Sequence, residues 1–304
     1  MKRRIFLKAS AASLLAANVS AVHGSTSNVS AIKNKEITVR FLGTGAADWN
    51  GRDSRGELRR LSSILVDESI LFDLTAGNIE MIPTECKPEA VFYTHSHKDH
   101  YDPISALQIG VKRIYLSHTW YDIAKRDFKE VAEKLKVTMP EIIPLYVGQK
   151  VQLGELAITP LPASHVTGNL FEQTLIYLME KDKARIIYAT DTAGIPAMAA
   201  QLAGIDAHNR NGKPITGLIM EATMGIGHDN DYRSFSHSSV DCVHRIVNVL
   251  QKTKRYTPSE GQFVYLTHMA RTLHGTQAEL DSSLPKPLKA AYDGMVVPFM
   301  GNTK

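Results

Sequence analysis

Short apolar runs alternate along the chain with stretches whose apolar positions recur every three to four residues. The runs at 36–42, 62–66, 69–73, 89–94, 112–116, 156–160, 173–179, 184–190, 215–221 and 263–267 have the length and the β-branched or aromatic content of strands. Asp102 followed by Pro103 reads as the N-cap and first residue of a helix that Gly110 ends. Ile123, Ala124, Phe128, Val131, Ala132 and Leu135 share one face of a helix over 121–136. Such a face covers either the chain's own core, the commoner use, or a partner. Ser238 or Ser239 is placed to cap a further helix carrying Val240, Val243, Ile246, Val247 and Leu250. No linker rich in Gly, Ser or Pro interrupts the series and no repeat is visible, so one α/β domain is the simplest organisation.

The first 24 residues stand apart from this pattern. MKRRIFLKAS pairs Arg3 and Arg4 with Phe6, Leu7 and Lys8 and runs into the weakly apolar ASAASLLAA. This resembles a twin-arginine export signal, cleaved near Ala21 or Gly24, which leaves 25–304 as the mature domain in a periplasmic setting. The apolar run is shorter than the roughly 20 residues that a membrane span requires, so stable insertion is not expected. Removing the segment changes the charge argument. Of 35 Lys and Arg, four (Lys2, Arg3, Arg4, Lys8) lie in it with no acid, so 31 basic residues face 31 acidic ones in the remainder. A near-neutral chain lacks the basic surface that sequence-independent nucleic-acid binding needs. A small-molecule substrate is the expected partner, with the oligomeric state open.

The two cysteines, Cys86 and Cys242, are far apart and read as unpaired residues, although an oxidising compartment would permit a disulfide. Metal chemistry is signalled elsewhere. FYTHSHKDHYDP at 92–103 puts His95, His97, Asp99 and His100 into one turn between a strand and a helix, a donor set suited to zinc and its borderline neighbours. Further donors follow strand-like runs: His165 in LPASHVTGN, Asp191 in IIYATDTAG and His268 in VYLTHMA, with His237 in FSHSSV. GTGAAD at 43–48 lacks the third glycine of a dinucleotide fingerprint and reads as a tight loop at the site's edge. No G-x-S-x-G supports a serine nucleophile.

The order H-x-H-x-D-H, His165, Asp191, His268, preceded by the aspartate of SILFDLT, resembles the metallo-β-lactamase fold superfamily of binuclear hydrolases. That resemblance implies an αββα sandwich with two divalent ions at the edge of the facing sheets: zinc first, with manganese or iron also suited to such donors. It places His95, His97 and His165 on one ion, Asp99, His100 and His268 on the other, and Asp191 between them with a metal-activated hydroxide. Asp73 would support the site without binding metal.

VRFLGTGAAD, RRLSSILVDESILFD, the EAT of 221–223 and FSHSS further resemble the branch of ribonuclease Z and the cyclic phosphodiesterase of the carbon-phosphorus lyase pathway. This implies phosphodiester hydrolysis, with His237 assisting the leaving oxygen, Glu221 orienting that imidazole, and Asp99, His237 and Glu221 as the catalytic set. Two departures narrow the substrate to a small exported-compartment molecule. There is no long insertion like the transfer-RNA-gripping arm of ribonuclease Z, and there are no extra cysteine ligands near the glycine loop. Arg52, Arg55, Arg59 and Arg60 are candidates for an anionic group. His228 and His274 are weaker candidates, read first as exposed loop histidines. Carboxylic-ester or lactone hydrolysis on the same metals is the alternative reading, with a non-catalytic binding protein behind it.

Overall fold

The computed structural model describes residues 35–209 and 211–301; the expected export signal and its cleavage point lie outside the described residues. Two seven-stranded sheets form the frame. The first contains β1 (Ile37–Gly43), β2 (Ser63–Val66), β3 (Ile70–Phe72), β4 (Ala90–Phe92), β5 (Arg113–Ser117) and β6 (Glu141–Leu145), and is completed beside β1 by β14 (Val296–Phe299). The second contains β7 (Val151–Leu153), β8 (Leu156–Pro162), β9 (Leu175–Lys181), β10 (Ala184–Ala189), β11 (Gly217–Glu221), β12 (Val264–Thr267) and β13 (Leu288–Ala290). Its spatial order is β13-β12-β11-β10-β9-β8-β7. The runs β3 to β6 and β10 to β13 are parallel.

Each of the ten expected strands forms, with ends shifted by no more than two residues. The strands that the apolar pattern did not announce, β6, β7, β13 and β14, are the four sheet edges. Pro144 and Pro298 sit in two of them, as edge strands tolerate, and each edge is short or half-polar.

Alternation along the strands sorts side chains into layers. Ile37, Val39, Phe41, Ile186 and Tyr188 join the core between the sheets, whereas Leu42, Ile187 and Ala189 face outward. The outer face of the first sheet is covered by α2 (Pro103–Gln108) and α3 (Tyr121–Leu135), which bury Ala106, Leu107, Ala124, Phe128 and Ala132. The outer face of the second is covered by α4 (Ala197–Leu202) and α5 (Val240–Lys252). The short helices α1 (Ala76–Ile79) and α6 (Gln277–Ser283) complete the set. The result is an αββα sandwich, and the amphipathic helix at 121–135 covers its own core.

Caps follow the sequence. Asp102 accepts from Ile104 N (3.0 Å) with Pro103 behind it. Ser239 caps α5 through Cys242 N (3.0 Å). Ser238 instead donates to Thr192 O (2.8 Å), tying that helix to the loop after β10. Cys86 and Cys242 are free thiols. Among the described residues, no helix is long and apolar enough to cross a membrane.

Candidate metal centre

The site lies where strands of both sheets end. β3 leads to Asp73, β4 to the turn His95–His100, β8 to His165, β10 to Asp191 and β12 to His268, while β11 ends on Glu221. An aromatic floor holds these strand ends in place. Phe92 stacks on Tyr115 (4.2 Å between centroids), Phe72 meets Tyr177 edge-on (5.1 Å), and Tyr177 Oη donates to Tyr93 O (2.6 Å). Asp73, Asp191 and His268 have φ of +58°, +48° and +51°. Such left-handed backbone costs a non-glycine residue about 1–3 kcal/mol, and it turns each side chain abruptly off its strand. Gly43 serves the same crowded edge, since a Cβ there would lie 2.0 Å from Leu61 O.

Two groups of donors converge. His97 Nδ1 lies 2.9 Å from His95 Nε2 and 3.2 Å from His165 Nε2. His100 Nε2 lies 3.3 Å from His268 Nε2 and 3.2 Å from Asp99 Oδ2. Asp191 stands between the groups: Oδ2 is 3.0 Å from His100 Nε2 and 3.1 Å from His268 Nε2, and Oδ1 is 3.7 Å from His165 Nε2. Each triad falls within 4.8 Å, close enough to share one ion.

The opposite ring nitrogens show what these donors need. Thr94 Oγ1 gives its only proton to Asp73 (2.8 Å), so His95 Nδ1 must donate to it (2.9 Å), and His95 Nε2 is left as a lone pair. Thr223 Oγ1 likewise donates to Glu221 (2.5 Å) and receives His268 Nδ1–H (2.8 Å). His100 Nδ1 donates to Asp73 Oδ2 (2.7 Å), and His165 Nδ1 to the carbonyl of Ser236 (3.1 Å). Lone pairs of His95, His100, His165 and His268 therefore face a common space beside two carboxylates, an arrangement that suits cations. Carbonyl, carboxylate and hydroxyl partners on the far nitrogen are also how metal-binding histidines are held. The residues fit divalent ions.

The electrostatics agree. Burial, helped by His100, holds the His95 pKa well below the imidazole range, and burial lowers that of His165. His100 goes the other way: burial opposes its charge, but Asp191, Asp99 and Asp73 raise its proton affinity well above normal. Burial disfavours the Asp191 and Asp99 anions too, yet the surrounding imidazoles keep both carboxyls far below their usual range. A cluster that pulls protons onto a buried imidazole also attracts metal ions.

His237 belongs to the same cluster. Its Nδ1 lies 3.2 Å from both oxygens of Glu221 and 3.8 Å from Asp191 Oδ1, and its ring lies parallel to that of His268. Burial disfavours its charge, but Glu221 and then Asp191 push its pKa up to about 9. Glu221 is fully buried and also accepts from Thr192 N (2.5 Å) and Thr223 Oγ1, so one carboxylate sets His237 directly and His268 through the threonine. Glu221→Ala strands these donors, at about 1–3 kcal/mol for each one left unpaired. A thermal melt should show Tm lower by about 6 °C or more; a melt within a degree of the native protein's would show that the network carries no stability.

His97, Asp99, His165, Asp191, His237 and His268 line a cavity of about 250 Å³, bordered also by Ala46, Ala47 and Asp48 of the glycine loop and by Arg233. The sequence-based arginine candidates are occupied elsewhere. Arg59 is buried on Thr44, Ala291 and Gln277; Arg60 pairs with Glu80, Arg55 with Asp53, and Arg52 with Gly56 O. Arg233, although its Nε and Nη2 both donate to Asp231 (2.9 Å each), is the arginine that lines the cavity. His274 is buried, not exposed: Nε2 donates to Ala222 O (2.7 Å), and burial pushes its pKa down to about 4. His228 is half-buried and does not line the cavity. Thr94, beside His95, and Thr223, quoted only as part of the EAT stretch that Glu221 begins, had no role assigned from sequence. A hydroxyl next to a ligand or its carboxylate partner was the available signal.

A family model described as "Beta-lactamase superfamily domain" matches residues 72–269, more than half of the chain, from one residue before Asp73 to one after His268. Three solved structures are similar in fold. The metallo-beta-lactamase fold protein YhfI from Bacillus subtilis has a TM-score of 0.61 at 17% identity, covering 86% of this chain and 99% of that one. Human tRNase Z, short form (ELAC1), has 0.60 at 15%, covering 86% and 98%. Zn(2+)-bound PqqB from Methylobacterium extorquens has 0.60 at 16%, covering 86% and 99%. No curated protein sequence matches the chain. The matched span contains every residue of the two triads together with Asp191, Glu221 and His237, and on that match the chain belongs to the β-lactamase superfamily of metal-dependent hydrolases.

Proposed function

We propose that this hydrolase is a phosphodiesterase for a small anionic substrate, with His95, His97 and His165 holding one divalent ion, Asp99, His100 and His268 a second, and Asp191 facing both. The observation that carries the reading is His237, an imidazole fixed by Glu221 beside Asp191 and not needed to complete either triad. When bound, two divalent ions supply Lewis acidity and bring the pKa of a water towards neutrality. The protein's own part is to steer and to transfer protons. Glu221 accepts from His237 Nδ1, which leaves Nε2 as the atom that can give a proton to a departing alkoxide. Arg233 offers the cavity a guanidinium for a phosphate oxygen. The exported setting in this reading rests on Arg3, Arg4 and the apolar run after them.

The test compares the metal-loaded protein on bis(p-nitrophenyl) phosphate and on a neutral lactone. Phosphodiester turnover is expected; lactone cleavage alone would assign the site to carboxylic esters. Arg233→Ala should raise KM for the phosphodiester about 10-fold, the worth of one charge-assisted hydrogen bond. An unchanged KM would remove the anion contact from the reading.

A further inference from the structure

Eighteen large apolar side chains are exposed among the described residues, and isolated ones need no explanation. The five most exposed are not isolated. Phe171 (88%), Phe235 (88%), Leu170 (85%), Tyr232 (77%) and Val166 (65%) all belong to two segments: the loop following β8, and the stretch preceding α5 that contains the 3₁₀ helix Tyr232–Phe235.

Both segments are fastened to the metal-site residues. Val166 follows His165 directly. Phe171 precedes Glu172, whose carboxylate accepts from Ser96 N (2.7 Å) and Ser96 Oγ (2.6 Å), between His95 and His97. Thr167 Oγ1 also donates to that carboxylate (3.0 Å), so the loop is braced from both ends. Phe235 precedes Ser236, whose carbonyl receives His165 Nδ1–H (3.1 Å) and so joins the second segment to the first. Tyr232 adjoins Arg233, a residue of the cavity wall. The exposed side chains thus sit on two segments that are bonded to each other and to residues of the site.

The cavity accepts a phosphodiester head with compact substituents but not a long extended chain. At about 250 Å³ it falls below the 300–1,000 Å³ of usual small-molecule pockets. A longer arm on that head extends beyond the cavity, and the segments bonded to His165 and Ser96 carry Phe171, Phe235, Tyr232, Leu170 and Val166 as exposed apolar side chains able to receive it.

We propose that the physiological substrate is amphiphilic: a phosphodiester whose head enters the cavity and whose long apolar ester arm, aliphatic or aryl, lies on this collar. The substrate class rests on the phosphodiesterase reading, whereas the collar's affinity for an apolar arm does not. The test therefore uses a binding series that requires no turnover. Straight-chain alkylphosphonates from methyl to hexyl are titrated calorimetrically into the metal-loaded protein and into the double variant Phe171→Ser, Phe235→Ser.

Full burial is worth up to about 4-fold per methylene. On an open collar, hexylphosphonate is expected to bind at least about 30-fold tighter than methylphosphonate, and the double variant should bind both about equally. A flat series in the native protein overturns the proposal. So does a flat series together with a dimer in sedimentation that the double variant dissociates, which would make the collar a self-association face. Steep chain-length dependence without hydrolysis of any alkyl phosphodiester would keep the collar and discard the phosphodiester head, so the two readings fail separately.

Discussion

Replacing Asp191 with alanine should strip metal from the purified protein and lower kcat/KM on a phosphodiester by on the order of 10³ or more. The expectation follows from position. One carboxylate lies 3.0 Å and 3.1 Å from the lone pairs of His100 and His268 and faces His165 with its other oxygen. Without it, imidazoles face imidazoles and only Asp99 remains to offset an ion's charge. Alanine is also a poorer fit to the left-handed backbone at this position, so part of any effect could come from the chain path. Asp191→Asn separates the two causes, because it keeps the shape and tolerates that φ while removing the charge. Metal analysis of both variants should give fewer ions per chain than the native protein, with activity falling in parallel. Two ions retained by Asp191→Asn at a near-native rate would exclude Asp191 as the shared ligand.

His237→Ala has the second-largest expected effect, and its pattern matters more than its size. A positioned acid contributes about 10² to 10⁴ in rate. Because it protonates the departing oxygen, the loss depends on how much that oxygen needs the proton. A p-nitrophenolate leaves easily unprotonated, whereas an alkoxide does not. The variant should therefore lose little on bis(p-nitrophenyl) phosphate and several hundred-fold or more on an alkyl diester, with metal content equal to that of the native protein. A loss equal on both substrates would make His237 a structural neighbour of His268 rather than a proton donor. Loss of metal would make it a ligand, which its distance of 3.8 Å from Asp191 Oδ1 leaves room for.

The sequence by itself determined the inner strands, the helices capped by Asp102 and Ser239, and the identity of the clustered donors. The inner strands are buried on both faces, so their apolar runs are dense, and the motif around His95 is compact enough to announce its chemistry. Three things were decided only by the tertiary structure. The edge strands β6, β7, β13 and β14 are short or carry proline, and they become strands only because a preformed neighbour supplies their hydrogen bonds. The choice among arginines was also tertiary. Arg59 looks free in sequence but is buried under three acceptors, whereas Arg233, in an unremarkable stretch, reaches the cavity. Finally, the sharing of Glu221 between His237 and His268 joins residues from three separate segments through Thr223. Local pattern encodes what a residue is and which face it occupies; which distant partner takes its last hydrogen bond is settled only when separate segments pack against one another.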